Sequence, residues 1–357
     1  MILIKRVLVF LSFCCPLLGL TQTAKYSNEF LSLGVGARNL AMGDAVVSST
    51  EDVTSLYYNP AALCKIKDKI QIVGMHNEQF AGISKHDFGA ISLKLNEKSA
   101  IGLGFVRLGV DNIPNTLYLI NNGQIDYSKI TNFSAVDYAF IGSYATQTKI
   151  PGLLIGGNVK VIRRVIGDFA SAWGFGLDVS AMYEKNNWRF GGIVRDVTST
   201  FNAWSYNFSE SDKQKLLETN NNLPSNSLEI TLPLATFGAS RTFHAYKKMI
   251  SILPELNFDI NTDGQRNVLI SSSWLNINPR MGLELGYKDF VYLRGGYSNL
   301  QRVKDINGNQ SFNGMPSMGV GLKLNKIAFD YALGNAFNQG LLGASNIISV
   351  KIMINKK

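Results

Sequence analysis

The feature that most constrains this chain is an alternation of period two that returns along most of its length. Trp173, Phe175, Leu177, Val179, Ala181 and Tyr183 interleave with Gly174, Gly176, Asp178, Ser180, Met182 and Glu184. Successive side chains of a β-strand point to opposite faces, so this segment has one apolar face with aromatic ends and one small, polar face. The same code sets Met281, Leu283, Leu285 and Tyr287 against Gly282, Glu284, Gly286 and Lys288, and Val291, Leu293, Gly295 and Tyr297 against Tyr292, Arg294, Gly296 and Ser298. It recurs at 318–325 and 327–334. A soluble sandwich alternates too, so the connections have to decide.

At about ten residues per strand, strands are expected over 69–76, 87–95, 100–109, 134–146, 153–166, 171–183, 188–196, 234–243, 252–260, 281–287, 291–297, 317–324, 327–333 and 347–354, fourteen in all. Connections on one side are tight, as at Asn96-Glu97-Lys98, Lys185-Asn186-Asn187, Lys288-Asp289-Phe290 and Asn325-Lys326. On the other side they are long, at 110–133, 197–233, 261–280, 298–316 and 334–346, with 167–170 as the short exception. Short turns on one rim, long loops on the other and an even strand number are the pattern of an outer-membrane barrel with both termini in the periplasm. Composition agrees, since 17% charged residues is well below the usual quarter and 33 glycines accompany 11% aromatics. The fold class expected is all-β, a 14-stranded antiparallel transmembrane β-barrel over 69–357. The stretch 267–275 would make the count odd and is expected as an ordered outer loop, while 210–218 after Ser209 is expected as a short helix whose Leu216 and Leu217 pack on the barrel mouth, the favoured reading, or on a partner.

Lys5 and Arg6, the apolar run 7–20 and Thr21 form the three regions of an export signal, so 1–21 is expected to be removed. About 14 apolar residues fall short of the roughly 20 that a spanning helix needs. Cys14 and Cys15 go with that signal, and Cys64 is then expected as a small buried hydrophobe without a disulfide partner. The net charge of +9 is not gathered into a basic tract, so no nucleic-acid partner is expected.

Residues 22–68 do not alternate. They are rich in glycine and small residues, and Asn59 before Pro60 stops regular structure. Such a segment ahead of a barrel is expected as a plug, or hatch, lying in the lumen, where its backbone pairs with the polar inner wall. Gly34, Gly36 and Gly43 do not have the spacing of a phosphate-binding loop.

The run FLSLGVGARNLAMGDAVVSSTEDVTSLYYNPAAL, residues 30–63, resembles the N-terminal signature of the PorV/PorQ family of outer-membrane barrels, found in Bacteroidota and belonging to the wider FadL-type fold. The matching positions are Gly36, Ala37, Arg38, Met42, Gly43, Asp52, Asn59, Pro60 and Ala61, and closing-strand likeness continues through Gly282-Leu283-Glu284, Leu293 to Tyr297, Gly319 to Leu322 and Phe329 to Ala332. The terminus departs from the barrel habit of ending on an aromatic residue, since it ends in Lys356 and Lys357. The resemblance implies a FadL-like barrel in the outer membrane that serves type IX secretion. Its partners would be translocon or attachment-complex subunits and the C-terminal sorting domains of cargo, besides outer-membrane lipid.

Catalysis is not expected. His76, His86 and His244 lack neighbours at ligand spacing, so neither a metal nor another cofactor is expected, and no Ser/His motif suggests a nucleophile. Arg107, Arg163, Arg164, Arg189, Arg195 and Arg294 are expected to face the lumen and to balance Asp178, Glu184, Glu284 and Asp330 there. Two roles remain. A protein-binding barrel would work through its outer loops, with Phe201, Trp204, Tyr206, Phe208 and Trp274 as anchors for a partner. A FadL-like channel for hydrophobic small molecules would instead need an apolar path inward, and lipid or detergent in the lumen would mark it.

Overall fold

The computed structural model describes residues 27–355 apart from 122, 220, 305–309 and 336–343. The expected export signal at 1–21, and the terminal Lys356 and Lys357, lie outside the described residues. The strands are β1 (Ile70–Gln79), β2 (Ser84–Asn96), β3 (Ser99–Asn115), β4 (Thr131–Gln147), β5 (Leu153–Ile166), β6 (Ala170–Lys185), β7 (Trp188–Arg195), β8 (Thr200–Tyr206), β9 (Ser227–Thr231) and β10 (Leu234–Arg241). They continue with β11 (Phe243–Ala245), β12 (Ile250–Asn261), β13 (Asn276–Tyr287), β14 (Val291–Lys304), β15 (Gln310–Lys323), β16 (Ile327–Gly334) and β17 (Ser345–Ile354).

Fourteen of these make the wall, each antiparallel to the next, and β1 closes on β17 from Ile70↔Ile354 to Glu78↔Asn346. Closure pairs each of these fourteen strands with a neighbour on both sides among the described residues, the condition for a backbone in hydrocarbon. The tight rim is built from left-handed turns: Asn186 and Asn187 have φ of 51° and 65°, and Lys288 and Asp289 have 52° and 53°, the type I′ geometry that matches strand twist.

The alternation points where it was expected to. Trp173, Phe175, Leu177 and Val179 are 40–62% exposed on the outer face, whereas Asp178, Glu284 and Arg294 are at most 9% exposed on the inner one.

Four expectations need correction. The loop 197–233 is partly wall, because β8 pairs with the outer end of β6 and with β9, and β9 leads into β10. Polar, alternating segments above the membrane resemble loops in sequence, yet strand pairing continues beyond the hydrocarbon. The connection left between the expected strands 69–76 and 87–95 is shorter than those bounds imply, since both strands run on, taking in His86, and the turn between β1 and β2 is only 80–83. The inner wall is not mainly polar throughout: β1 to β5 turn Met75, Phe88, Val106, Ile141 and Ile162 inward, all at most 5% exposed. Finally, Arg107 and Arg163 face outward, as their register with the outward Asp87 and Trp173 requires.

The apolar half of the lumen exists because the N-terminal segment docks there. Val35, Met42, Val46, Val53, Leu56 and Leu63 are fully buried and belong to one cluster with those inner-wall side chains. At roughly 1.5–3 kcal/mol per fully buried side chain, this cluster contributes on the order of 10 kcal/mol as an upper figure. The rest of the lumen meets the segment through hydrogen bonds and ion pairs. The stretch 267–275 is an outer loop carrying a two-residue pairing of Ile270 and Ser271 onto β13.

Candidate functional site

The N-terminal segment carries α1 (Ala37–Ala41), α2 (Ser55–Tyr58) and a 3-10 turn at Pro60–Lys65. Each matching position of the signature makes a contact that seats it. Gly36 has φ 84°, a left-handed value that glycine adopts without strain, and its N–H donates to the Met75 sulfur at 2.9 Å. Ala37 N–H donates to Ser349 Oγ at 2.7 Å. Arg38 binds Glu284 at 2.8 Å, Glu284 also takes Arg294 at 2.6 Å, and Arg294 reaches Asp330 at 2.6 Å. Two cations and two carboxylates thus form one chain with little exposure, which offsets the cost of taking each charge out of water.

Met42 and Gly43 pass close to the wall. A Cβ on Gly282 would lie 2.6 Å from the Met42 carbonyl oxygen, and one on Gly296 would lie 2.1 Å from Gly43 N. Wall glycines are therefore required where the segment's backbone touches. Asp52 accepts from Lys351 at 2.5 Å and from Thr54 N–H at 2.9 Å. Burial opposes its charge, but Lys351 and Thr54 prevail and hold the carboxyl well below the usual carboxylate range. Asn59 donates to the carbonyls of Val47 at 2.9 Å and Ala181 at 3.2 Å, Pro60 opens the 3-10 turn, and Ala61 N–H donates to Ser180 Oγ at 2.9 Å. Sequence reading missed Asn39, which ties Val35 O to Thr54 Oγ1, and Lys351, a lone charge on an otherwise ordinary closing strand.

Above the segment, at the outer mouth, lies a vestibule of about 580 Å³. Its floor is Leu33, Leu40, Gly43 and Asp44, with Phe80, Met315 and Ile347 among its walls. Polar groups line the same space, including Asn77, Asp259 and Arg280. Arg280 pairs with Asp259, and Tyr58 donates to Asp44 at 2.5 Å.

The proposed loop anchors are scattered. Phe201 is 45% and Trp274 69% exposed, but Trp204 is only 7% exposed, on the inner face of β8 with the Arg164 guanidinium over its ring at 5.1 Å. Trp204 is thus unavailable to a partner in this conformation, because β8 is wall and turns it inward. Tyr206 and Phe208 stack on each other, and Phe208 also on Phe169. The helix Glu210–Glu218 forms behind a Ser209–Asp212 capping box, yet Leu217 is 56% exposed, and the helix is held by Tyr118 donating to Asp212 at 2.7 Å. His76 pairs with Asp87 outside the barrel and His86 is fully buried inside, and no metal-binding cluster is present among the described residues.

No family model matches the sequence, and no curated protein matches it. Solved structures do match. The toluene transporter TodX of Pseudomonas putida is 14% identical with a TM-score of 0.58, covering 94% of this chain and 100% of its own. The toluene transporter TbuX of Ralstonia pickettii is also 14% identical, at 0.57, covering 90% of this chain and 99% of its own. A FadL homologue of Pseudomonas aeruginosa is 10% identical, at 0.52, covering 90% and 98%. These structures do not single out the PorV/PorQ branch. At such identities the likeness shows the fold: this chain has the architecture of the FadL-like barrels, fourteen antiparallel strands closed around its own N-terminal segment.

Proposed function

We propose that this chain is an outer-membrane channel of the FadL type for hydrophobic small molecules, with the vestibule as the entry site and the N-terminal segment as the hatch below it. The observation that carries this reading is the vestibule itself, about 580 Å³ with Leu33, Leu40, Phe80 and Met315 lining one space and floored by the hatch. Ligand pockets of this size combine apolar walls with a few polar groups that fix orientation. The end-to-end likeness to structures described as toluene transporters supports the same reading. Toluene uptake by cells expressing the protein tests it. Leu40→Asp puts a charge on the floor and is expected to abolish protein-dependent uptake; uptake equal with and without the protein refutes the channel.

A second reading is favoured by how firmly the wall holds the hatch. Among the described residues the neighbouring wall strands are paired all round, and the hatch is tied to them by ion pairs and close backbone contact. A barrel closed in this way serves well as a holder of loops, and the signature at Gly36–Arg38, Met42-Gly43 and Asn59–Ala61 supports a place in the type IX secretion system of a Bacteroidota outer membrane. Phe201, Tyr206, Phe208 and Trp274 would then contact translocon or attachment-complex subunits or cargo sorting domains. Capture from detergent-solubilised outer membrane separates the two readings: translocon or sorting-domain cargo supports the second, and partner-free protein sinks it.

A further inference from the structure

The outward-facing Arg107 and Arg163 have no place in either reading. They lie in one row of the outer face, in the register His76↔Asp87↔Arg107↔Tyr138↔Arg163↔Trp173 across β1 to β6. The row stands about nine residues above the periplasmic turns, roughly 23 Å at ~3.3 Å per residue and a tilt near 40°. That height is the outer edge of an apolar band about 25 Å tall, where outer-leaflet head groups begin.

The donors in this row are only partly used. Asp87 takes one nitrogen of Arg107 at 3.3 Å and His76 at 2.6 Å. The Arg107 guanidinium runs up beside Gly109, where a Cβ would lie 2.8 Å from Nη2, so it points toward the head groups. Arg163 sits over the Trp173 ring at 4.9 Å and, among the described residues, has no carboxylate partner. Tyr138, between the two arginines, has no hydrogen-bond partner for its hydroxyl among the described residues. Arg163 Nη1 donates to the Ala172 carbonyl at 3.4 Å, but a guanidinium at the edge of hydrocarbon with no carboxylate beside it is costly unless another anion meets it.

Directly below the row is a groove of about 670 Å³ in five of those six strands, β1 to β5. Gly89 and Gly142 form its floor, with open space where a Cβ would be, and Ile72, Leu103, Phe105 and Phe140 stand around it. Phe105 contacts both Tyr138 and Phe140, with ring centroids 5.9 and 5.3 Å away, and so joins groove to row. Cationic donors one row above an uncharged groove complement one molecule with an anionic head and a hydrocarbon tail.

We infer that the outer face of β1 to β5 is a specific site for a phosphate-bearing lipid of the outer leaflet, its head group bound by Arg107, Tyr138 and Arg163 and one acyl chain seated in the groove. Arginine donors matched to phosphate give charge-assisted, directional bonds. The site does not depend on which role the barrel performs.

Native mass spectrometry of the detergent-solubilised full chain, titrated with phosphatidylglycerol, neutral diacylglycerol or inorganic phosphate, tests it. Phosphatidylglycerol should remain bound, diacylglycerol and phosphate alone should not. Arg107→Gln with Arg163→Gln should weaken retention about tenfold or more, the loss expected for one charge-assisted contact. Gly89→Leu with Gly142→Leu should do the same by filling the groove while both arginines stay. Heat-modifiable gel mobility verifies that each variant is a folded barrel, and single Arg163→Gln replaces the double if it is not. Unchanged retention in the folded variants, equal retention of diacylglycerol, retention of phosphate without lipid, or a lipid-free dimer occupying the groove would each overturn the site.

Discussion

Adding one methyl group to the inner wall at Gly296 should loosen the hatch. An alanine Cβ there would lie 2.1 Å from Gly43 N and 2.2 Å from the Met42 carbonyl carbon, whereas non-bonded carbon contacts settle near 3.5–4 Å, so the overlap exceeds roughly 1 Å. Both partners are backbone, so no rotamer relieves the clash. Overpacking costs about 1–3 kcal/mol where side chains can adjust, and the upper end of that range is expected here. Gly156→Ala repeats the collision on another strand, with its Cβ 2.5 Å from Ala61 N. Two distant sites add, giving about 6 kcal/mol against apolar docking on the order of 10 kcal/mol. The double variant should therefore remain a folded barrel but open intermittently. Planar-bilayer conductance reads the opening, and loss of heat-modifiable mobility on warming reads the stability. Gly89→Ala is the control, since it makes the same chemical change on the outer face with nothing within 4 Å. If the double variant insulates and melts like this control, the close packing of segment on wall does not hold the hatch shut.

Lys351→Met should destabilise the closed state by about 3–5 kcal/mol at neutral pH, because it strands the Asp52 carboxylate, only 14% exposed, without its cation; thermal unfolding of the variant checks it. In the unmodified protein the Asp52–Lys351 contribution should be complete above the unfolded carboxylate pKa near 3.9. It should fade only as pH falls through the lower folded value, so a stability difference between the unmodified protein and Lys351→Met that already vanishes near neutrality contradicts this pairing. Burial pushes the Cys64 thiol up to about 11. Its alkylation should therefore still accelerate with pH well above the ~8.5 of a free thiol, and a plateau near pH 9 would refute that environment. Trp204→Ala should cost about 3–5 kcal/mol as a buried aromatic truncation, while the 69% exposed Trp274→Ala should change stability by less than ~0.5 kcal/mol; paired melting curves compare them.

Strand number and the facing of the cleanly alternating strands were legible in the sequence, because the period of two is a local property that survives any tertiary arrangement. Met281, Leu283, Leu285 and Tyr287 read as lipid-facing and are so, at 40–48% exposed. The capping box at Ser209 was equally local. The extension of the wall through β8 and β9 was not legible, since above the membrane nothing selects apolar residues and a paired strand reads like a loop.

What the sequence determined alone was therefore the closed antiparallel wall and a segment ahead of it that could not be wall. Only the tertiary structure decided where that segment's charges and glycines meet their counterparts: Arg38 with Glu284, Asp52 with Lys351, Gly43 with Gly296. It also decided that Arg107 and Arg163 face outward rather than into the lumen. Pairings across hundreds of residues have no local signature, because they depend on barrel closure bringing distant strands around one lumen.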